Sequence, residues 1–103
     1  MGISLLMKSL IKVNNREVRG RSFTVWVPNI RQVFYREGDK VAKLEIEGGM
    51  PPSGRVEWLV YSQTLRGWEP PHEADEMSPE KYKEILRYIG ESMDVLGMRH
   101  KVV

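Results

Sequence analysis

The sequence predicts an α+β fold, an antiparallel meander of about five strands followed by one amphipathic C-terminal helix packed on the sheet. Residues 10–62 contain short segments in which apolar and polar side chains alternate, which is the period of a strand. Residues 79–96 instead repeat apolar side chains at helical spacing. Because the strands precede the helix rather than alternating with it, the pattern indicates the α+β class.

The first strands are short and separated by turn residues. Residues 10–13 lead into Asn14-Asn15, which suits a tight hairpin turn, and apolar residues resume at Val18. Gly20 offers a place for a bend. In the next strand, residues 22–27, one predicted face contains Phe23, Val25 and Val27 and the other contains Thr24 and Trp26.

The best hairpin signal is Gly38-Asp39, which fits a two-residue loop between strands at residues 30–37 and 40–47. Glu37 and Lys40 are then placed to pair across it. Residues 48–54 contain three glycines and two prolines and read as a loop without regular structure. Residues 55–62 follow as a strand expected to be covered on both sides, with Val56, Trp58 and Val60 on one face and Leu59 and Tyr61 on the other.

Capping residues in the sequence indicate where the predicted helix begins and ends. Ser78 is a good N-cap, Pro79 suits the first helical position, and Gly97 suits a C-terminal cap. Gly90 predicts close packing at mid-helix, and residues 98–103 form a short final strand or tail. The predicted apolar face contains Tyr82, Ile85, Leu86, Ile89, Met93 and Leu96.

Composition limits the class of protein. With 103 residues, of which 41% are hydrophobic and 29% charged, we expect one globular domain over residues 1–103, with residues 1–7 frayed or dispensable. The absence of cysteine excludes disulfides and thiolate chemistry and favours a reducing compartment such as the cytoplasm. The N-terminus has neither the basic region of a signal peptide nor a membrane span.

The charge is unevenly distributed. The formal net charge is +2, but residues 1–40 carry eight Lys or Arg against three Asp or Glu. Residues 69–80 contain five carboxylates, one His and no Lys or Arg. Such an isolated acidic segment suggests a surface for a cationic partner. The candidate partner-binding residues are Glu69, His72, Glu73, Asp75 and Glu76.

The sequence contains few of the residue patterns that catalytic sites require. There is no Gly-x-Ser-x-Gly elbow, no phosphate-binding glycine loop and no His-Glu-x-x-His motif. His72 and His100 lie far apart, without metal-ligand spacing, so we predict no metal, no cofactor and no enzymatic activity. A small hydrolase using His72 as a general base remains the less favoured alternative.

Nucleic-acid binding is the second alternative. It would use basic side chains of the N-terminal half together with aromatic stacking groups, and affinity would fall steeply with salt. The acidic segment opposes it. The other interpretation is that the charges discourage aggregation of sheet edges and that the aromatic residues belong to the core. The basic candidates are Lys8, Lys12, Arg16, Arg19, Arg21, Arg31 and Arg36, and the stacking candidates are Phe23, Trp26 and Tyr35.

Residues 67–86 resemble the small α+β immunity proteins of bacterial polymorphic-toxin and contact-dependent growth inhibition systems. The motifs are Trp68-Glu69-Pro70-Pro71-His72 and the helix start Ser78-Pro79-Glu80-Lys81, preceded by a β-rich half. The resemblance implies a non-catalytic cytoplasmic protein that binds and neutralises a cognate toxin domain, for example a nuclease. Within it, Trp68, Pro70, Pro71, Ser78 and Pro79 are expected to hold the fold. Whether sheet edges also pair two copies into a homodimer stays open.

Overall fold

A computed structural model describes residues 10–49 and 54–103. Residues 1–7, predicted to be frayed, lie outside the described residues, as do Lys8 and residues 50–53 of the predicted loop. The described chain forms a seven-stranded sheet and one α-helix, which confirms the α+β class. The elements are β1 (Ile11–Asn14), β2 (Glu17–Arg19), β3 (Thr24–Asn29), β4 (Gln32–Glu37), β5 (Lys40–Gly49), β6 (Glu57–Tyr61), a 3₁₀ turn (Ser62–Thr64), α1 (Pro79–Val95) and β7 (His100–Val102).

The sheet follows chain order from β1 to β7, and β1 to β6 form an antiparallel meander. The predicted β4–β5 hairpin is present, with Glu37 opposite Lys40 and Gly38 at a φ of 60° in the turn. A positive φ of this size favours glycine, because glycine has no Cβ. The short final strand predicted from the sequence is also present, but it runs parallel to β6, so β6, α1 and β7 form a crossover unit.

The start of α1 is fixed by local chemistry. Ser78 Oγ accepts a hydrogen bond from the Lys81 backbone N–H at 3.1 Å, and Pro79 occupies the first helical position. Both residues therefore hold the positions that the sequence assigns to them. Among the described residues, no helix combines the length and the apolar character needed to cross a membrane.

The end of α1 is a Schellman motif centred on Gly97, which has a φ of 75°. The Gly97 N–H donates to the Asp94 carbonyl at 3.0 Å, and the Met98 N–H donates to the Met93 carbonyl at 2.8 Å. Glycine suits this position because the left-handed conformation clashes with a Cβ. The motif turns the chain back toward the sheet, where β7 begins.

The core lies between α1 and the inner face of the sheet, which we define as the face that α1 covers. On α1, Ile85, Ile89 and Met93 are at most 1% exposed. Phe23 stacks on Tyr88 of the helix with ring centroids 4.2 Å apart. The buried strand residues are Val18, Val25, Val27, Val33, Tyr35, Ala42, Leu44, Ile46 and Val60. Their alternation with exposed neighbours is the pattern that the sequence predicts for a sheet with one buried face.

A polar network ties the first turn of α1 to β4. Lys81 Nζ donates to both carboxylate oxygens of Glu37 at 3.0 Å and to Glu84 at 2.7 Å, while Tyr35 Oη donates to Glu37 at 2.6 Å. Burial is the largest single influence on the pKa of Glu37 and raises it. The hydrogen bonds from Tyr35 and Lys81 and nearby positive charge together outweigh burial and hold that pKa below its usual range.

Two predictions about strands are wrong in detail. Gly48 and Gly49 belong to β5 rather than to a loop, because Gly48 lies opposite Trp58 and leaves room for its indole. A Cβ on Gly48 would stand 3.0 Å from that ring. The strand predicted at residues 55–62 begins only at Glu57, Val56 is 48% exposed, and no described element covers its second face.

Candidate functional site

The predicted partner-binding residues lie in a loop, residues 69–76, that follows the edge of β5. The Glu69 N–H donates to the Val41 carbonyl at 2.7 Å, so the chain continues along β5 after β6 has ended. Trp68, only 5% exposed, buries its ring in the core, and its centroid lies 6.4 Å from that of Tyr35. Burial of this indole anchors the N-terminal end of the loop, while the N-cap of α1 anchors the other end.

Two lysines of β5 neutralise part of the acidic loop. Lys40 Nζ lies 3.2 Å from Asp75 Oδ2 and 5.6 Å from the centroid of the Trp68 ring. Lys43 Nζ lies 3.6 Å from Glu69 Oε1. The pKa of the Asp75 carboxyl is lowered, chiefly by the hydrogen bond from Lys40. Glu69 and Asp75 therefore face cations of their own chain, which the sequence could not indicate.

The remaining loop carboxylates, Glu73 and Glu76, have different surroundings. Glu73 and Glu76 are exposed, and within the described part of the chain neither has a Lys, Arg or His nitrogen within 4.0 Å. Glu80, in the first turn of α1, is exposed in the same way. The uncompensated negative charge of this region is therefore carried by Glu73 and Glu76 of the loop and by Glu80 at the start of the helix.

The two histidines are in separate places. His72 Nδ1 lies 3.4 Å from Asp75 Oδ2 within the loop. His100 opens β7, is half-buried beside Gly90, and has its Nδ1 3.1 Å from the Met98 carbonyl oxygen. In residues 10–49 and 54–103, no group of three or more His, Cys, Asp or Glu side chains could hold a metal ion.

The outer face of the sheet, defined as the face opposite α1, is not covered by any element that the structure describes. Cross-strand register places Glu17, Trp26, Phe34 and Lys43 in one row across it. Trp26 and Phe34 are half-buried and contact each other with centroids 5.1 Å apart. Aromatic side chains at half exposure are common in protein interfaces.

The aromatic half of the nucleic-acid alternative is largely wrong. Phe23 and Tyr35 were predicted as stacking groups, but they are 7% and 0% exposed and pack in the core against Tyr88 of α1. Only Trp26 lies on the outer face. The basic candidates within the described residues, Lys12, Arg16, Arg19, Arg21, Arg31 and Arg36, are exposed and distributed over strands and turns.

A groove of about 810 Å³ opens on the outer face beside the β3–β4 turn. Its lining includes Glu45, Glu47 and Tyr61 from neighbouring strands, together with the exposed Ile30 and Arg31. Tyr61 Oη donates a hydrogen bond of 2.5 Å to Glu47 Oε1, and this bond is the main reason that the pKa of the Tyr61 hydroxyl is raised. Sequence reasoning missed this site, because Glu45 and Glu47 read only as the wet face of a strand.

Comparison with known proteins identifies a matching family. The model of a protein family described as immunity protein 74 matches residues 31–103. The matched region contains the β4–β5 hairpin, the acidic loop, α1 and β7. No curated protein and no solved structure matches the chain.

Proposed function

Because the chain belongs to the immunity protein 74 family, we propose that it binds and neutralises a cognate bacterial toxin domain and performs no catalysis itself. The family match over residues 31–103 carries this proposal. It agrees with the sparse catalytic inventory of the sequence. The protein acts in the cytoplasm of the toxin-producing cell, as part of a polymorphic-toxin or contact-dependent growth inhibition system.

The acidic loop is the contact surface that we propose for the toxin. Its free carboxylates, Glu73 and Glu76, project into solvent between two fixed ends. Glu69 and Asp75 act differently, because their ion pairs with Lys43 and Lys40 hold the loop against β5. His72, whose Nδ1 lies 3.4 Å from Asp75 Oδ2, belongs to the same proposed surface.

The charge of the loop favours a toxin with basic residues at its active site. Nucleases fit this description, since they bind phosphates through Lys and Arg. An acidic inhibitor surface accelerates association with such a domain by electrostatic steering, and salt weakens the effect. A nuclease domain is therefore the partner that we propose first.

The test is co-expression with the toxin domain that we expect the adjacent gene to encode, scored by recovery of a complex and by rescue of growth. We expect a stable complex and rescue. Absence of both would overturn the proposed function. A complex without rescue would also count against it, because binding would then not neutralise the toxin.

The loop is tested with Glu73→Lys, and Glu91→Lys on the exposed side of α1 serves as a control with the same charge change. We expect Glu73→Lys to slow association about tenfold at low salt, with little effect at high salt. Glu91→Lys should change the rate much less. Equal rates for the two variants would remove the loop from the interface. Asp75→Lys is a poorer test, because it would place a new cation beside Lys40.

A further inference from the structure

The groove on the outer face differs from the acidic loop in one respect that bears on binding. Glu45 and Glu47 are exposed, lie two residues apart on one face of β5, and have no Lys, Arg or His nitrogen within 4.0 Å among the described residues. In the loop, lysines of the same chain contact Glu69 and Asp75, and the free carboxylates Glu73 and Glu76 have no described tyrosine hydroxyl donating to them. The groove thus has two carboxylates that no cation of the described residues contacts within 4.0 Å, in a concave site.

The surroundings of these carboxylates suit a long cationic side chain. Tyr61 lies opposite Glu45 in the sheet and holds Glu47 through its hydroxyl, so one carboxylate is oriented in advance. Ile30, 70% exposed, and the ring of Tyr61 offer apolar surface for an aliphatic stem. Lys and Arg combine such a stem with a charged end. Arg31 also lines the groove, so its net charge is one negative unit from two carboxylates and one guanidinium.

We propose that this groove binds an Arg or Lys side chain of the toxin domain, with Glu45 and Glu47 accepting its hydrogen bonds and Ile30 and Tyr61 contacting its stem. The proposal rests on the proposed function for the identity of the partner, and charge complementarity is the argument for the occupant. An Arg fits best, because a planar guanidinium presents donors in several directions and can reach both carboxylates. The outer face would then be a second contact surface besides the loop.

The groove is tested first without the toxin. The probe is N-acetyl-arginine methylamide, titrated into isotopically labelled protein while backbone amide shifts are followed by NMR, with N-acetyl-glutamate methylamide as the control probe. We expect concentration-dependent shifts at Glu45, Glu47 and Tyr61 with the arginine probe only. The double variant E45Q/E47Q should abolish them, whereas E91Q should not. Unchanged shifts in E45Q/E47Q, or shifts confined to the loop around Glu73, would overturn the proposal.

The second test measures the dissociation constant of the complex with the adjacent toxin domain. E45Q/E47Q should weaken binding about tenfold, and E91Q should leave it nearly unchanged. Equal affinity of both variants would exclude the groove from the interface, while rescue of growth by the wild-type chain would leave the proposed function intact. If the wild-type chain binds no toxin domain, the proposed function fails, and the arginine titration alone decides whether the groove binds a cation.

Discussion

The two faces of the sheet are built from the same strands but differ in how far they are buried. The inner face carries Val, Ile, Leu and Tyr side chains that α1 buries almost completely. The outer face alternates with it residue by residue and carries Trp26, Phe34 and charged side chains that no described element covers. One helix can cover one face only. The comparison teaches that stability should depend mainly on the inner face, which leaves the outer face free for binding.

The largest effect is expected where the inner face meets the helix. Ile89 is 1% exposed, and Ile89→Ala would leave a cavity between α1 and the sheet. We expect a loss of about 3 kcal/mol in the free energy of unfolding, measured by denaturant titration. A loss below about 1 kcal/mol would mean that α1 packs loosely. It would contradict the expectation that stability depends mainly on the inner face. Leu86→Ala, at a half-buried position on the same helix, is the matched control and should cost less.

An intermediate effect is expected at the polar network between α1 and β4. Glu37→Gln would weaken the charge-assisted bonds from Lys81, and we expect a loss of about 1–2 kcal/mol near neutral pH. Because the pKa of Glu37 is lowered on folding, its contribution is fully present above the ordinary value of 4.5 and is lost as the pH falls through the folded-state pKa.

The pH dependence supplies the check on that prediction. Denaturant titrations of wild type and Glu37→Gln at a series of pH values should converge below pH 4.5, the ordinary value of the carboxyl. A difference that stays constant with pH would show that the network acts by packing and not by charge. Glu91→Gln, exposed on α1, should show neither the loss nor the convergence.

The smallest effect is expected on the outer face. Trp26→Ala removes one half of the Trp26–Phe34 pair, and we expect a loss of about 1 kcal/mol or less in the free energy of unfolding. A loss as large as that of Ile89→Ala would contradict an uncovered outer face. In that case the unfolding midpoint of the wild type should rise with protein concentration, since a second copy would then cover the aromatic pair.

The sequence predicts what depends on local chemistry. Ser78, Pro79 and Gly97 act within one helical turn, and Gly38-Asp39 acts within one hairpin, so their roles can be recognised from neighbouring residues. The faces of β3 and β5 follow from alternation alone.

The sequence does not predict what depends on register between distant residues. Lys40 meets Asp75, 35 positions later, only because the loop returns along the edge of β5. Tyr61 reaches Glu47 because β5 and β6 pair in one particular register. The four carboxylates among the predicted loop residues therefore separate into a pair that contacts lysines and a pair that does not, and the groove is not recognised from the sequence. Both outcomes are set by tertiary geometry, which no short motif encodes.

The parallel pairing of β7 with β6 has a consequence for synthesis on the ribosome. Strands β2 to β6 each pair with the preceding strand, so every hairpin can form soon after it leaves the exit tunnel. The edge of β6 that pairs with β7 is the exception. Its residues Trp58, Leu59 and Val60 pair with residues that are synthesised 42 positions later. These partners are His100, Lys101 and Val102. During that interval the nascent chain exposes an unpaired apolar edge. By pairing with β6, β7 covers this edge, which removes a surface on which another chain could pair.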